Sequence, residues 1–169
     1  TLKFLFLIPM LIIAFMIDYK LQIIPNRLTL TIFETGLVFT FATSLLNITG
    51  GIDLFMDSVL GMLAGAGIFL LITLIGGAIA GKEAMGFGDV KLMGALGLFF
   101  GWINMIMISV MAFLFAAIVS IVILIIKRKK FNEYIPFGPF IVVASMIPMY
   151  INTPDLMLIL LKIFSLGTY

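Results

Sequence analysis

The sequence predicts an all-α fold, a polytopic membrane helix bundle of about six transmembrane helices with a short seventh apolar stretch. Three observations carry that prediction. Of 169 residues, 63% are hydrophobic and 11% charged, against roughly a quarter charged in soluble domains. Too little polar surface remains to coat a water-soluble globule. The apolar residues fall in runs near the ~20 residues that a helix needs to cross the hydrocarbon layer. The charges collect in the breaks between those runs. The length predicts one integral-membrane domain over residues 1–169 without a sizeable water-soluble appendage. A net charge of +2 gives no reason to expect nucleic acid as a partner; the lipid bilayer is the expected surrounding.

The first helix is expected over Leu2–Ile17. It lacks a small-residue cleavage site and is followed by "DYKLQIIPN", so it reads as a mature span rather than a signal peptide. After the polar loop "DYKLQIIPNR", the second helix covers Leu28–Leu46 and ends at "NITGGID". The third covers Leu54–Ala80 and stops at "GKEAMGFGD". The fourth runs from Asp89 to Phe100, short for a span, so it either begins before Asp89 or is partly re-entrant. The fifth, Ile103–Ile126, stops at "KRKK". The sixth opens at "YIPFGPF" and ends near Tyr150. Beyond "INTPD", Leu156–Leu166 reads as a seventh span, a surface helix or a continuation of the sixth. Gly61/Gly65 and Gly97/Gly101 form G-x-x-x-G pairs, read as sites of close helix packing.

Loop charges orient the chain. Lys20 and Arg27 lie in the first loop, Lys82 and Lys91 flank the third, and Lys127–Lys130 form the fifth. The second loop carries Asp53 and Asp57 without a base, and the fourth carries no charge. Odd loops are therefore expected in the cytoplasm and the N-terminus outside. The "KRKK" run reads most simply as this topogenic signal.

The chain has no cysteine and no histidine. That excludes a thiolate zinc site, a Ser–His or Cys–His pair and an H-E-x-x-H motif, and no metal is expected. Acid–base chemistry near neutral pH falls to carboxylates, Lys or Tyr. Of the eight acids, Asp53, Asp57, Glu83, Glu133 and Asp155 sit in predicted loops or helix ends. Glu34 falls about two turns into the second helix and is kept as a supporting candidate. Asp18 and Asp89 remain. Asp89 could cap the fourth helix, but a cap does not need Gly86 and Gly88 on its N-terminal side. Glycine permits unusual backbone angles and close approach of another backbone. Asp18 sits past the C-terminal end of the first helix, where the dipole disfavours an anion, with Lys20 nearby in sequence. The acids are 71 residues apart yet at one depth of the bundle. Two carboxyls in hydrogen-bond reach cannot both ionise cheaply, and such a pair can activate a water and protonate a leaving amide. The same two acids would also serve as a proton or cation site in a small transporter or channel subunit, a reading the residues leave open.

Three blocks in order resemble the type IV prepilin peptidases, which share a glycine-x-glycine-aspartate motif with the preflagellin peptidases and, more distantly, presenilin-like enzymes. They are "DYKLQIIPNRLT" at residues 18–29, "GFGDVKLMGALG" at residues 86–97 and "IPFGPF" at residues 135–140. The resemblance implies an intramembrane aspartyl endopeptidase with Asp18 and Asp89 as its catalytic pair. It implies site-shaping or substrate-binding roles for Gly86, Gly88, Lys91, Pro25, Asn26, Pro136, Gly138 and Pro139. The implied substrates are prepilins or pseudopilins, with a short basic leader cut at the cytoplasmic face of the cell membrane and a hydrophobic helix behind it. Larger members carry a cysteine-containing cytoplasmic domain and use S-adenosylmethionine to methylate the new N-terminus. This sequence has neither that domain nor a cysteine, so no cofactor is expected, and S-adenosylmethionine enters only if methyl transfer is retained.

Overall fold

The computed structural model describes residues 2–47, 50–81, 85–127 and 136–164. Among the described residues seven helices follow one another: α1 Leu2–Leu21, α2 Asn26–Leu46, α3 Gly51–Ala80, α4 Phe87–Phe100, α5 Trp102–Lys127, α6 Gly138–Tyr150 and α7 Thr153–Phe164. There is no strand among the described residues. Four of the helices, α1, α2, α3 and α5, are long and apolar enough to cross a membrane, and α6 is a shorter apolar helix. The chain is a polytopic membrane bundle. Lys82, Glu83, Arg128–Lys130, Glu133 and Ile135 lie outside the described residues.

The centre of the bundle is α4. All of its residues from Leu92 to Phe100 are buried, as are Asp89 and Val90. A helix apolar on every side belongs in an interior, and α4 packs most extensively on α3 and next on α2. A Cβ on Gly61 or on Gly97 would strike the backbone of the facing helix. The two glycine pairs therefore let α3 and α4 approach backbone to backbone. The fourth helix begins two residues before Asp89 and is enclosed by its neighbours.

Other boundaries differ from the sequence reading. Helix α1 continues past Ile17 to Leu21, so Asp18 lies within its last turns. Helix α3 starts at Gly51 rather than Leu54, which puts Asp53 as well as Asp57 inside it. Asp53 occupies the first turn, where an acid meets the positive end of the dipole. Helix α7 is a separate amphipathic helix of 12 residues, about 18 Å long and short of the ~30 Å hydrocarbon layer. It turns Leu156 inward and packs on α5, and it is a helix of its own rather than a continuation of α6.

The α4–α5 junction shows how the bundle handles polar backbone without water. The last carbonyls of a helix have no partner within it, and in an apolar layer each must find a donor. The Phe99 carbonyl accepts from Lys3 Nζ, Leu98 from Thr40 Oγ1 at 3.1 Å, and Phe100 from Asn104 Nδ2 at 2.9 Å. Gly101, at φ 76°, makes the turn, and Asp57 Oδ1 accepts the Trp102 N–H at 3.4 Å where α5 begins. The opposite end of α4 is organised differently.

Candidate active site

Three chain segments converge at the N-terminal end of α4: the end of α1 with its connection to α2, the start of α4, and the start of α6. They bring Asp18, Asp89 and Gly138 together. Asp18 is 4% exposed and Asp89 3% exposed. Both line one cavity of about 260 Å³, along with Gln22, Ile24, Asn26, Gly86, Gly88 and Lys91.

Asp18 sits where its own helix dipole opposes it, and a second helix compensates. Gly138 is the first residue of α6, so its N–H is one of that helix's unpaired donors. It donates to Asp18 Oδ2 at 2.8 Å. The positive end of α6 thus faces the carboxylate. Lys20, the neighbour suggested by sequence, is exposed. Pro139 follows at the second position of α6, where the missing proline N–H costs nothing. A Cβ on Gly138 would lie 2.6 Å from Asp18 Oδ2, so a side chain there cannot coexist with this contact. Pro136 is half-buried just before α6.

Asp89 lies in the first turn of α4 but does not act as its cap. The cap position is Gly86, which makes no side-chain cap, and the Asp89 N–H donates to the Gly86 carbonyl at 3.1 Å. Asp89 Oδ1 is buried with no hydrogen-bond partner among the described residues. Buried polar atoms are nearly always paired, so an orphan calls for an explanation. Gly86 has φ −66° and ψ 137°, a conformation open to any residue, so unusual backbone angles are not what this glycine supplies. Gly88 supplies close approach: a Cβ there would come within 3.1 Å of Ile24 Cβ. The neighbour is this chain's own α1–α2 connection.

That connection forms the other wall. Pro25 caps α2 in an extended conformation, and its carbonyl accepts the Leu28 and Thr29 N–H groups. Asn26, the first residue of α2, accepts at Oδ1 from Lys91 Nζ at 2.9 Å. Lys91 also lies over the Phe87 ring, 5.6 Å from its centroid. Glu34 is exposed on α2 and lines none of the cavities described here, so it does not support the acids.

Sequence reasoning missed Gln22 and Ile24. Gln22 has φ 56°, a left-handed conformation rare for a residue with a side chain. Its N–H donates to the Asp18 carbonyl at 2.9 Å, closing α1 beneath the acid. The available signal was a lone amide between "L" and "II" in an otherwise apolar tail. Ile24 carried no signal.

Residues 5–121 match the model of the type IV leader peptidase family, a stretch that contains both acids and ends before Gly138. Among curated proteins, the chain is 31% identical over 149 residues to the prepilin leader peptidase/N-methyltransferase of Aeromonas hydrophila, covering 88% of this chain and 49% of that protein. It is 33% identical over 131 residues to the protein of that name from Escherichia coli K12, covering 78% and 55%. The corresponding figures for Neisseria gonorrhoeae are 31% over 147 residues, 87% and 48%. The chain spans about half the length of the curated relatives it matches. No solved structure matches it.

Proposed function

Because the chain belongs to the type IV leader peptidase family, we propose that it is an aspartyl endopeptidase that removes the short basic leader of prepilin or pseudopilin substrates. The observation that carries this reading is the pair itself. Asp18 and Asp89 are buried in one cavity, the first anchored by Gly138 N–H and the second with an unpartnered oxygen. One carboxylate takes a proton from water while the resulting hydroxide adds to the scissile carbonyl carbon. The other carboxyl, protonated, donates to the carbonyl oxygen. Collapse of the tetrahedral intermediate moves a proton to the leaving nitrogen, releasing a carboxylic acid and a new amine.

The cytoplasmic placement of the site is part of the proposal. It is supported by Lys20, Arg27 and Lys91, which lie in or beside the segments that build the cavity. The transporter reading finds little support, since past Asp89 α4 is packed with apolar residues rather than polar groups along a path. The N-methyltransferase half of the relatives' names implies S-adenosylmethionine. No residue lining the acid cavity is assigned to methyl transfer, and no methyl-transfer step is derived.

Reconstitution with a prepilin from the same genome tests the reading. The expected result is a loss of leader mass from the pilin, abolished in Asp18→Asn and in Asp89→Asn. Proton or cation flux in liposomes without hydrolysis would instead favour the transporter.

A further inference from the structure

A second cavity of about 480 Å³ opens between α2, α3 and α4. Asn26 and Lys91 line both it and the acid cavity, so the two adjoin at the Lys91–Asn26 hydrogen bond. Beyond that polar threshold the lining is apolar apart from Thr29, whose hydroxyl donates to the Asn26 carbonyl. Leu30, Phe33 and Met62 form its sides, and the small residues Ala66 and Gly94 lie between them. Asn26 and Lys91 sit at the N-terminal ends of α2 and α4. Phe33 is seven residues further along α2, about 10 Å at 1.5 Å per residue. The groove therefore leads from the acids toward the apolar middle of the Asn26–Leu46 span.

We propose that this groove seats the apolar helix of the substrate, holding it beside the bond cut in the acid cavity. The proposal rests on the peptidase reading above. A substrate cut at the end of a membrane bundle carries its following residues into the apolar layer, and the groove adjoins the acid cavity and extends along α2 in that direction. Small residues admit a helix backbone at close range where no hydrophobic drive exists between lipid and protein. Gly94 faces α3, where a Cβ on it would lie 3.2 Å from Ala66 Cβ, so its missing side chain lets α3 and α4 close together beside the groove. Lys91 and Asn26 hold each other at the mouth and mark where the helix ends and the extended cleavage segment begins.

The test uses the full chain in liposomes and two synthetic substrates. One has a basic leader followed by an apolar helix of about 20 residues; the other stops a few residues past the cleavage site. Ala66→Phe fills the floor, and Leu30→Trp, at an exposed rim position, is a second variant that does not burden the interior. The ratio of KM for the helical substrate to KM for the truncated one is expected to rise at least tenfold in each. A photo-crosslinking residue at Leu30, in the Asp18→Asn background, is expected to capture the helical substrate, while the same residue at exposed Ile118 on α5 does not. An unchanged KM ratio in both variants overturns the proposal, as do adducts at position 30 only with lipid or with a second copy of the chain. Crosslinking needs no hydrolysis. Capture at Leu30 with no cleavage of either substrate by the unmodified chain would keep the groove and remove the peptidase reading.

Discussion

Gly138→Ala places one methyl group between α6 and the acid on α1. Its Cβ would lie 2.6 Å from Asp18 Oδ2, 2.9 Å from Cγ and 3.1 Å from Cβ. The first two separations are shorter than real Cβ contacts and the third is unusually tight, and the far partner is a short buried side chain. Either Asp18 rotates away or α6 retreats, and both lose the 2.8 Å hydrogen bond. A hydrogen bond to a charged group contributes about 1.5–3 kcal/mol, and overpacking adds roughly 1–3 kcal/mol. If the lost bond is felt at the transition state, about 1.5–3 kcal/mol corresponds to a ~10–150-fold fall in kcat/KM. Misplacing a reacting group by an ångström costs ~100-fold by itself, so a loss near two orders of magnitude is expected. The assay is leader removal by purified protein, followed by pilin mass, with helical content and melting measured on the same sample. Gly67→Ala is the matched control, because a Cβ at Gly67 meets nothing within 4 Å. Activity of Gly138→Ala within twofold of the parent, with the fold intact, would refute the claim that this N–H positions Asp18.

Asp18→Asn, Asp89→Asn and the double variant should be equally inactive, because removing one member already destroys a unit that works as a pair; a double variant far below either single one contradicts the dyad. Cleavage should survive chelators and serine-directed reagents, since the acids act on water directly, and activity lost to a chelator and regained with zinc would overturn the assignment. Gly88→Ala should lower activity more than stability, because its Cβ presses on Ile24 in the cavity wall at 3.1 Å; wild-type turnover in that variant would show the wall to be irrelevant. Gln22→Gly should raise the melting temperature by relieving a left-handed residue worth about 1–2 kcal/mol, whereas a lower melting temperature would mean that the Gln22 side chain contributes more than its backbone costs.

The long spans were legible because hydrophobic runs and their charged breaks report burial in lipid directly. The interior position of α4 was not. An apolar helix without a polar face gives no sign of which neighbours enclose it, and a run of 14 residues looks like a defective span until α2 and α3 are seen around it. Both acids were legible as charges set against an apolar background. What holds Asp18 was hidden, since its donor lies 120 residues away and is a backbone N–H that no side-chain pattern announces. Glu34 misled for the opposite reason. Its place two turns into α2 suggested a bundle-facing acid, but helical phase turns it outward among exposed Leu30, Leu37 and Val38. Asp57 looked like a loop charge and proves to receive the first N–H of α5.

The two ends of α4 make the strongest internal argument for a reaction centre. Both ends hold buried polar groups, which cost free energy when left unpaired. At the C-terminal end the last three carbonyls of α4 each have a side-chain donor, from Lys3, Thr40 and Asn104 on three different helices. The fold therefore satisfies polar groups on this helix where only stability is at stake. At the N-terminal end Asp89 Oδ1 has no partner among the described residues, although Asp18 beside it has one. A carboxyl oxygen left open in a cavity, in a bundle that closes every comparable group at the other end of the same helix, is what a site reserved for water and a scissile carbonyl requires. If the asymmetry were incidental, Asp89→Leu would stabilise the bundle by removing an unpaired polar group without affecting function. The dyad reading expects that substitution to stabilise and to abolish cleavage together, and a stabilised Asp89→Leu variant that still processes prepilin would defeat it.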